Sequence, residues 1–198
     1  MFTGQFARYP RRAFSALALL LAAGVFTSAQ ADSALEPCAD AQALQSALQR
    51  LNEVRLLGDA PCAAGKGAVQ SLAWESRLAG SAQAQATDLA LRDLLSHIDA
   101  RQRGLGARLR EAGYAASSAG ENLAAGQTDF DDTLQAWLAS PTHCANLMQP
   151  DFRDLGLACV QRPGSRYERF WVAHLGAPVR GGSRNAEAPL NAAVVAAR

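Results

Sequence analysis

The sequence predicts an α/β protein in which a small sheet lies between two layers of helices, an α–β–α sandwich. Leucines and alanines recur at helical spacing through the first half of the chain, and the two clearest strand-like runs come late and adjoin a Pro-Gly turn. A length of 198 residues with 49% hydrophobic residues suits one core rather than two.

In chain order, residues 1–31 read as a secretory signal. Arg8, Arg11 and Arg12 form a basic start, Ala13–Val25 is apolar and uncharged, and Ala29-Gln30-Ala31 fits a small-x-small cleavage site. A run that short falls below the ~20 residues a membrane-spanning helix needs. The route of export stays open. The predicted mature domain spans residues 32–178. Leu44, Leu48, Leu51 and Leu56 mark a helix over 38–57, with Asp40 in its first turn and Gly58 as its stop. A second helix, 75–95, carries Leu78, Ala82, Ala86 and Leu89 on one stripe, and its small side chains predict close packing on the sheet. His97 follows its end. A short helix is expected over 105–112 and an extended segment over 120–124. Asp129 caps a helix that bears Leu134, Trp137 and Leu138 and stops at Pro141, and one more helical turn covers 143–148. Residues 155–161 and 167–175 are expected strands of a hairpin turning at Pro163-Gly164. The tail, 179–198, lacks periodicity and reads as disordered.

Removal of the leader takes three arginines and no acid, which moves the formal charge from +1 to −2. Such a chain lacks the basic footprint of a nucleic-acid binder. Arg101, Arg103, Arg108 and Arg110 form the one local basic cluster, expected as a solvated face. All four cysteines, Cys38, Cys62, Cys144 and Cys159, follow the leader, and an even count in an exported chain predicts two disulfides. Three pairings are open; the sequence-local one, Cys38 with Cys62 and Cys144 with Cys159, is preferred. A catalytic Cys144 beside His143 is disfavoured because adjacent helical residues point about 100° apart. Trp74, Trp137 and Trp171 are expected core anchors, and Asn52 and Arg55, sharing a helix face, should bond nearby backbone or an acid. Period-two alternation puts His174 on the opposite strand face from Trp171 and Ala173, as a surface or locally bonded histidine.

The ordered motifs Asn52-x-x-Arg55, Leu72-Ala73-Trp74, Ser96-His97, Gly113-Tyr114, Gly120-Glu121-Asn122, Trp137, Ser140-Pro141-x-His143-x-x-Asn146, Phe152, Gly156 and Trp171 give a more specific reading. From about residue 51 to 178 the chain resembles the CAP superfamily of cysteine-rich secretory, antigen-five and pathogenesis-related proteins, and in particular its exported bacterial SCP-like domains. The resemblance implies a three-layer sandwich with a small, mostly antiparallel central sheet. It also implies a cleft lined by two histidines and acidic residues, which in some members holds a divalent metal. The matching positions are His97, Glu121 and His143. A second glutamate common in eukaryotic members is Ser140 here, and Cys144 replaces a frequent arginine.

Two imidazoles, His97 and His143, could hold Zn²⁺ or a similar divalent ion, with Glu121 as a ligand or as a partner orienting a histidine. Two histidines alone predict modest, pH-dependent affinity. The competing reading makes the three a hydrogen-bonded structural cluster. A hydrolase would use Ser96 or a metal-activated water as nucleophile with a histidine base, but the chain has no nucleophile elbow and no His-Glu-x-x-His helix. Ser96 is better read as a helix-end residue. The expected role is therefore a secreted or periplasmic binding module for a lipid, sterol, glycan or peptide, the range the resemblance implies, rather than an enzyme. A purely structural envelope protein is the third alternative.

Overall fold

The computed structural model describes residues 34–63 and 67–179. The expected leader, 1–31, and all of the expected tail but Val179 lie outside them. Five strands and five helices follow in the order β1 (Glu36–Pro37), α1 (Ala41–Leu57), β2 (Ala73–Trp74), α2 (Ser76–Arg92), α3 (Leu105–Glu111), β3 (Ala116–Ala125), α4 (Phe130–Ala139), α5 (Pro141–Leu147), β4 (Asp154–Gln161) and β5 (Arg169–Pro178), with a 3₁₀ turn at Pro61–Ala63. The sheet runs β1–β4–β5–β3 with antiparallel pairing throughout, and β2 adds a short parallel pairing to β4.

Local chemistry explains the helix boundaries. The Asp40 carboxylate accepts from the Ala43 N–H at 2.8 Å and so caps α1 rather than sitting in its first turn. Gly58 ends α1 at φ 66°, and a side chain there would strike the backbone of Gly67 and Ala68. Helix α2 stops at Arg92, short of the expected 95, because Asp93 turns left-handed at φ 51° and its N–H returns to the last carbonyls. Pro141 occupies the first turn of α5, where its missing N–H costs nothing.

Strand alternation divides the core into two faces. Leu155, Leu157, Cys159, Trp171, Ala173 and Leu175 pack beneath α1, α4 and α5, against Leu48, Leu51, Leu134, Trp137 and Leu147. On the opposite face Ala158, Val160, Phe170, Val172 and Leu123 meet Ala82, Ala86 and Leu89 of α2, all fully buried on the helix side. The alanine stripe brings α2 so close that any side chain at Gly156 would collide with Leu78 and the Ala79 backbone. Trp137 and Trp171 are buried core anchors, each indole N–H finding a carbonyl, at Leu123 and Gln127 respectively, and Trp74 packs partly buried beside them.

Asn52 and Arg55 stitch α1 to distant chain. Asn52 binds both the N–H and the C=O of Leu72, at 2.8 and 2.9 Å. Arg55, fully buried, donates to the carbonyls of Gln70, Leu147, Gln149 and Phe152, with no carboxylate in the set. Burial and the neighbouring Arg153 charge lower its pKa to about 10, which still leaves it a cation at neutral pH.

The preferred disulfide pairing is wrong. Cys38 is joined to Cys159 and Cys62 to Cys144, with Cα separations of 5.1 and 5.8 Å. The reason is topological. β1 crosses to the free edge of β4, where Pro37 stands opposite Val160 and the Cys38 N–H bonds the Cys159 carbonyl, while the 3₁₀ turn carrying Cys62 packs on α5. The bridges span 121 and 82 residues. In the chain-entropy model loops of that size contribute about 4.5–5 kcal/mol each rather than about 3 for a loop of 15.

Two outcomes follow from these contacts. Peptide mapping of the oxidised protein should recover linked peptides Cys38–Cys159 and Cys62–Cys144 and no local pairs. Arg55→Ala should lower stability in urea unfolding by about 3 kcal/mol or more, because four backbone carbonyls lose a charged donor and the buried side-chain volume is left empty.

Candidate functional site

The site is organised by β3, an edge strand whose successive side chains alternate between the two faces. Glu121 turns toward the α2/α3 layer and stands opposite His174 of β5 in register. Asn122 turns toward α5.

On the first face the Glu121 carboxylate is buried and held by three groups. His97 Nδ1 lies 2.6 Å from Oε1, while His174 Nε2 at 2.8 Å and Arg108 Nη2 at 2.5 Å meet Oε2. Burial pushes the carboxyl pKa up, but hydrogen bonds from His174 and His97 and the Arg108 charge outweigh it and bring it down to about 2. An ionised carboxylate only accepts, so both facing ring nitrogens carry protons. In its neutral form His97 then carries its proton on Nδ1 and a lone pair on Nε2. Its side chain is 60% exposed, whereas Glu121 is 3% exposed. The Glu121 hydrogen bond raises the His97 pKa against partial burial, while burial keeps His174 neutral by lowering its own.

The loop bearing His97 is pinned by its neighbours. Arg108 Nη1 donates to the His97 and Arg103 carbonyls, Gln85 donates to the Ser96 carbonyl, and Asp88 accepts from the Ala100 N–H. Ser96 is spent within the turn: its hydroxyl donates to the Ile98 carbonyl at 2.7 Å and accepts from the Ile98 N–H at 3.0 Å.

His143 reaches the same strand from the second face. The Asn122 amide donates to the His143 carbonyl at 3.0 Å, and Asn146 donates to Asn122 Oδ1 at 2.9 Å, so the motif asparagines seat α5 on β3. Gly120 leaves room for this contact, since a side chain there would press on Phe152 and Asn146. The half-buried His143 ring makes no hydrogen bond to His97 or Glu121 among the described residues. Burial and the charge of His97 lower its pKa.

The structure therefore joins His97 to Glu121 directly and brings His143 to the same strand from the other side. Two residues of the cluster were not foreseen. Arg108 was expected on a solvated face, yet it is 4% exposed; Arg101 does pair at the surface, with Glu111, whereas Arg103 is partly buried against the buried Asp99. Arg108 follows Leu105 by three residues and precedes the buried Leu109, a helical spacing that could have flagged it. His174 is locally bonded, as one expectation had it, but wholly buried rather than at the surface. Strand β5 has neighbours on both edges and helices on both faces, so alternation identifies its face without implying exposure.

No group of three or more His, Cys, Asp or Glu side chains converges as a metal cage among the described residues. Glu121 has both oxygens engaged. The side chains that could take part in holding a divalent ion are His97, through Nε2, and His143, with Glu121 bonded behind His97 as carboxylates often are behind metal-binding histidines.

Comparison with known proteins bears on this arrangement. Residues 48–175 match the model of the cysteine-rich secretory protein family, CAP. The chain is 26% identical over 96 residues to the uncharacterized protein YkwD of Bacillus subtilis, covering 48% of this chain and 37% of that one. An extracellular protein containing an SCP domain from Bacillus anthracis superposes with a TM-score of 0.54 at 26% identity, over 67% of this chain and 39% of the other. An outer surface protein of Borrelia burgdorferi shares the fold, with a TM-score of 0.58 at 17% identity over 70% of this chain and 94% of the other. The chain thus spans well under half the length of the two Bacillus proteins.

The Glu121 pKa sets a pH dependence. Because it is depressed in the folded state, its stabilisation is present above the ordinary carboxylate range and is lost as pH falls from about 4.5 toward 2. Urea titrations across that window should show a loss on the order of 2–3 kcal/mol, and Glu121→Gln should be less stable at pH 7 with a flatter acid limb.

Proposed function

Because the chain belongs to the cysteine-rich secretory protein (CAP) family, as its ordered motifs implied, we propose that it is an exported binding module whose cleft presents His97 and His143 to a ligand. The observation that carries this reading is the state of His97. A buried, ionised carboxylate locks its ring and tautomer, while the ring itself stands mostly in solvent with Nε2 available. Fixing an exposed side chain sacrifices rotamer entropy, which a surface histidine without a binding role has no need to lose.

In this reading His97 Nε2 and His143 hold a divalent cation such as Zn²⁺, and Glu121 acts behind His97 rather than as a ligand. A divalent ion held there would supply Lewis acidity to a bound ligand. Glu121 keeps the proton on Nδ1 and fixes the ring plane; the Asn122–Asn146 pair sets the position of α5. As pH falls through the raised His97 pKa, Nε2 gains a proton and ceases to be a ligand. Ser96, committed to its own turn, supports binding over serine-type hydrolysis. The ligand class carried over from the family is a lipid, sterol, glycan or peptide.

Export is supported by the N-terminal pattern, by the pairing of all four cysteines, and by the extracellular and outer-surface descriptions of two structural relatives. No described helix is long and apolar enough to cross a membrane.

Isothermal calorimetry with zinc chloride on the purified protein tests the site. Saturable, 1:1 binding at neutral pH is expected, weakening as pH drops, and lost in the His97→Ala, His143→Ala double variant. Heat that is absent, or unchanged in the double variant, would reduce the cluster to a structural clamp.

A further inference from the structure

Position 174 is sealed on every side, and the other inward residues of that strand face, Phe170 and Val172, are apolar. An imidazole there breaks the pattern at a cost, since burying a polar group without full hydrogen bonding is unfavourable. The break is directed. His174 Nε2 meets Glu121 Oε2 at 2.8 Å, yet its Nδ1 finds no hydrogen-bond partner, and neither does Nε of Arg108, the second group on that oxygen; both atoms are buried. Each such atom costs about 1–3 kcal/mol, and a cluster kept for stability alone would satisfy both ends of its members.

The geometry shows what the arrangement secures. A carboxylate can rotate about its bond to Cγ and offer either oxygen to His97. Two donors on Oε2, one from β5 and one from α3, remove that freedom and leave Oε1 alone facing His97 Nδ1. Arg108 supplies charge and also reaches the His97 and Arg103 carbonyls, so His174 is the donor devoted to the carboxylate.

We propose that His174 is a positioning residue of the cleft: it orients Glu121 so that the proton stays on His97 Nδ1 and Nε2 remains free toward the ligand. Its purpose rests on the reading of His97 as a ligand-binding imidazole, but its effect is present in the free protein.

Ring ¹⁵N NMR of the free full-length protein reads the His97 tautomer directly, in wild type and in His174→Gln and His174→Leu. Glutamine keeps an N–H donor near the place of Nε2, whereas leucine matches the apolar neighbours. The wild type and His174→Gln should hold His97 with the proton on Nδ1. His174→Leu should lose that preference and, with one donor stripped from a buried carboxylate, melt below wild type, while His174→Gln keeps both the tautomer and most of the stability. Zinc affinity should fall about 10–100-fold in His174→Leu and recover in His174→Gln, the loss typical when an outer-shell partner is removed. Retention of the Nδ1–H tautomer in His174→Leu, its loss in His174→Gln, or failure of both variants to fold would overturn the assignment and make His174 a structural residue. Should the wild type bind no zinc while the tautomers behave as expected, the metal reading fails and the positioning role stands.

Discussion

A buried negative charge is the constraint on which the working half of this molecule depends. Glu121 lies in the packed layer between sheet and helices, and an isolated carboxylate there would be very costly. The compensation comes from three places: β5 through His174, α3 through Arg108, and the loop after α2 through His97. His174 lies 53 residues beyond Glu121, whereas His97 and Arg108 precede it by 24 and 13, so neutralising one charge fixes β5 against the nearer loop and α3. Loss of a single partner from such a cluster typically costs 3–5 kcal/mol, which makes the docking of the short helix α3 far firmer than its seven residues would secure alone.

The other face of β3 is held by a different chemistry. There the partners are amides and carbonyls: Asn122 and Asn146 seat α5, Arg55 gathers the carbonyls at the end of that helix, and the Cys62–Cys144 bridge ties it to the 3₁₀ turn. The two systems meet at one edge strand, with Glu121 serving one and Asn122 the other. An open strand edge usually invites further pairing. Here Trp137 and Asn146 side chains occupy carbonyls of β3 at Leu123 and Glu121, so that part of the edge is taken up by the side chains that build the site.

Fold and function separate cleanly along this line. The layered core explains the family membership and would serve many roles, whereas the exposed His97, held from behind by the buried Glu121 carboxylate, is the feature on which the proposed binding role rests. The Bacillus relatives are much longer than the segment they share with this chain, so the likeness concerns the domain rather than the activity of those whole proteins.

Much of this was legible in the residues themselves. Asp40, Gly58, Asp129 and Pro141 mark helix ends because capping and backbone freedom are local properties, and the alanine stripe of α2 foretold close packing because periodicity survives in sequence. The ordered motifs identified the family and with it His97, Glu121 and His143. Tertiary structure alone decided the disulfide pairing, because β1 crosses to a strand more than a hundred residues later. It also decided that Arg108 and His174 belong to the Glu121 cluster. A sequence records which face of a helix or strand a residue shares, but which charge waits on that face depends on packing between distant segments, and that is where the partners of a buried carboxylate are chosen.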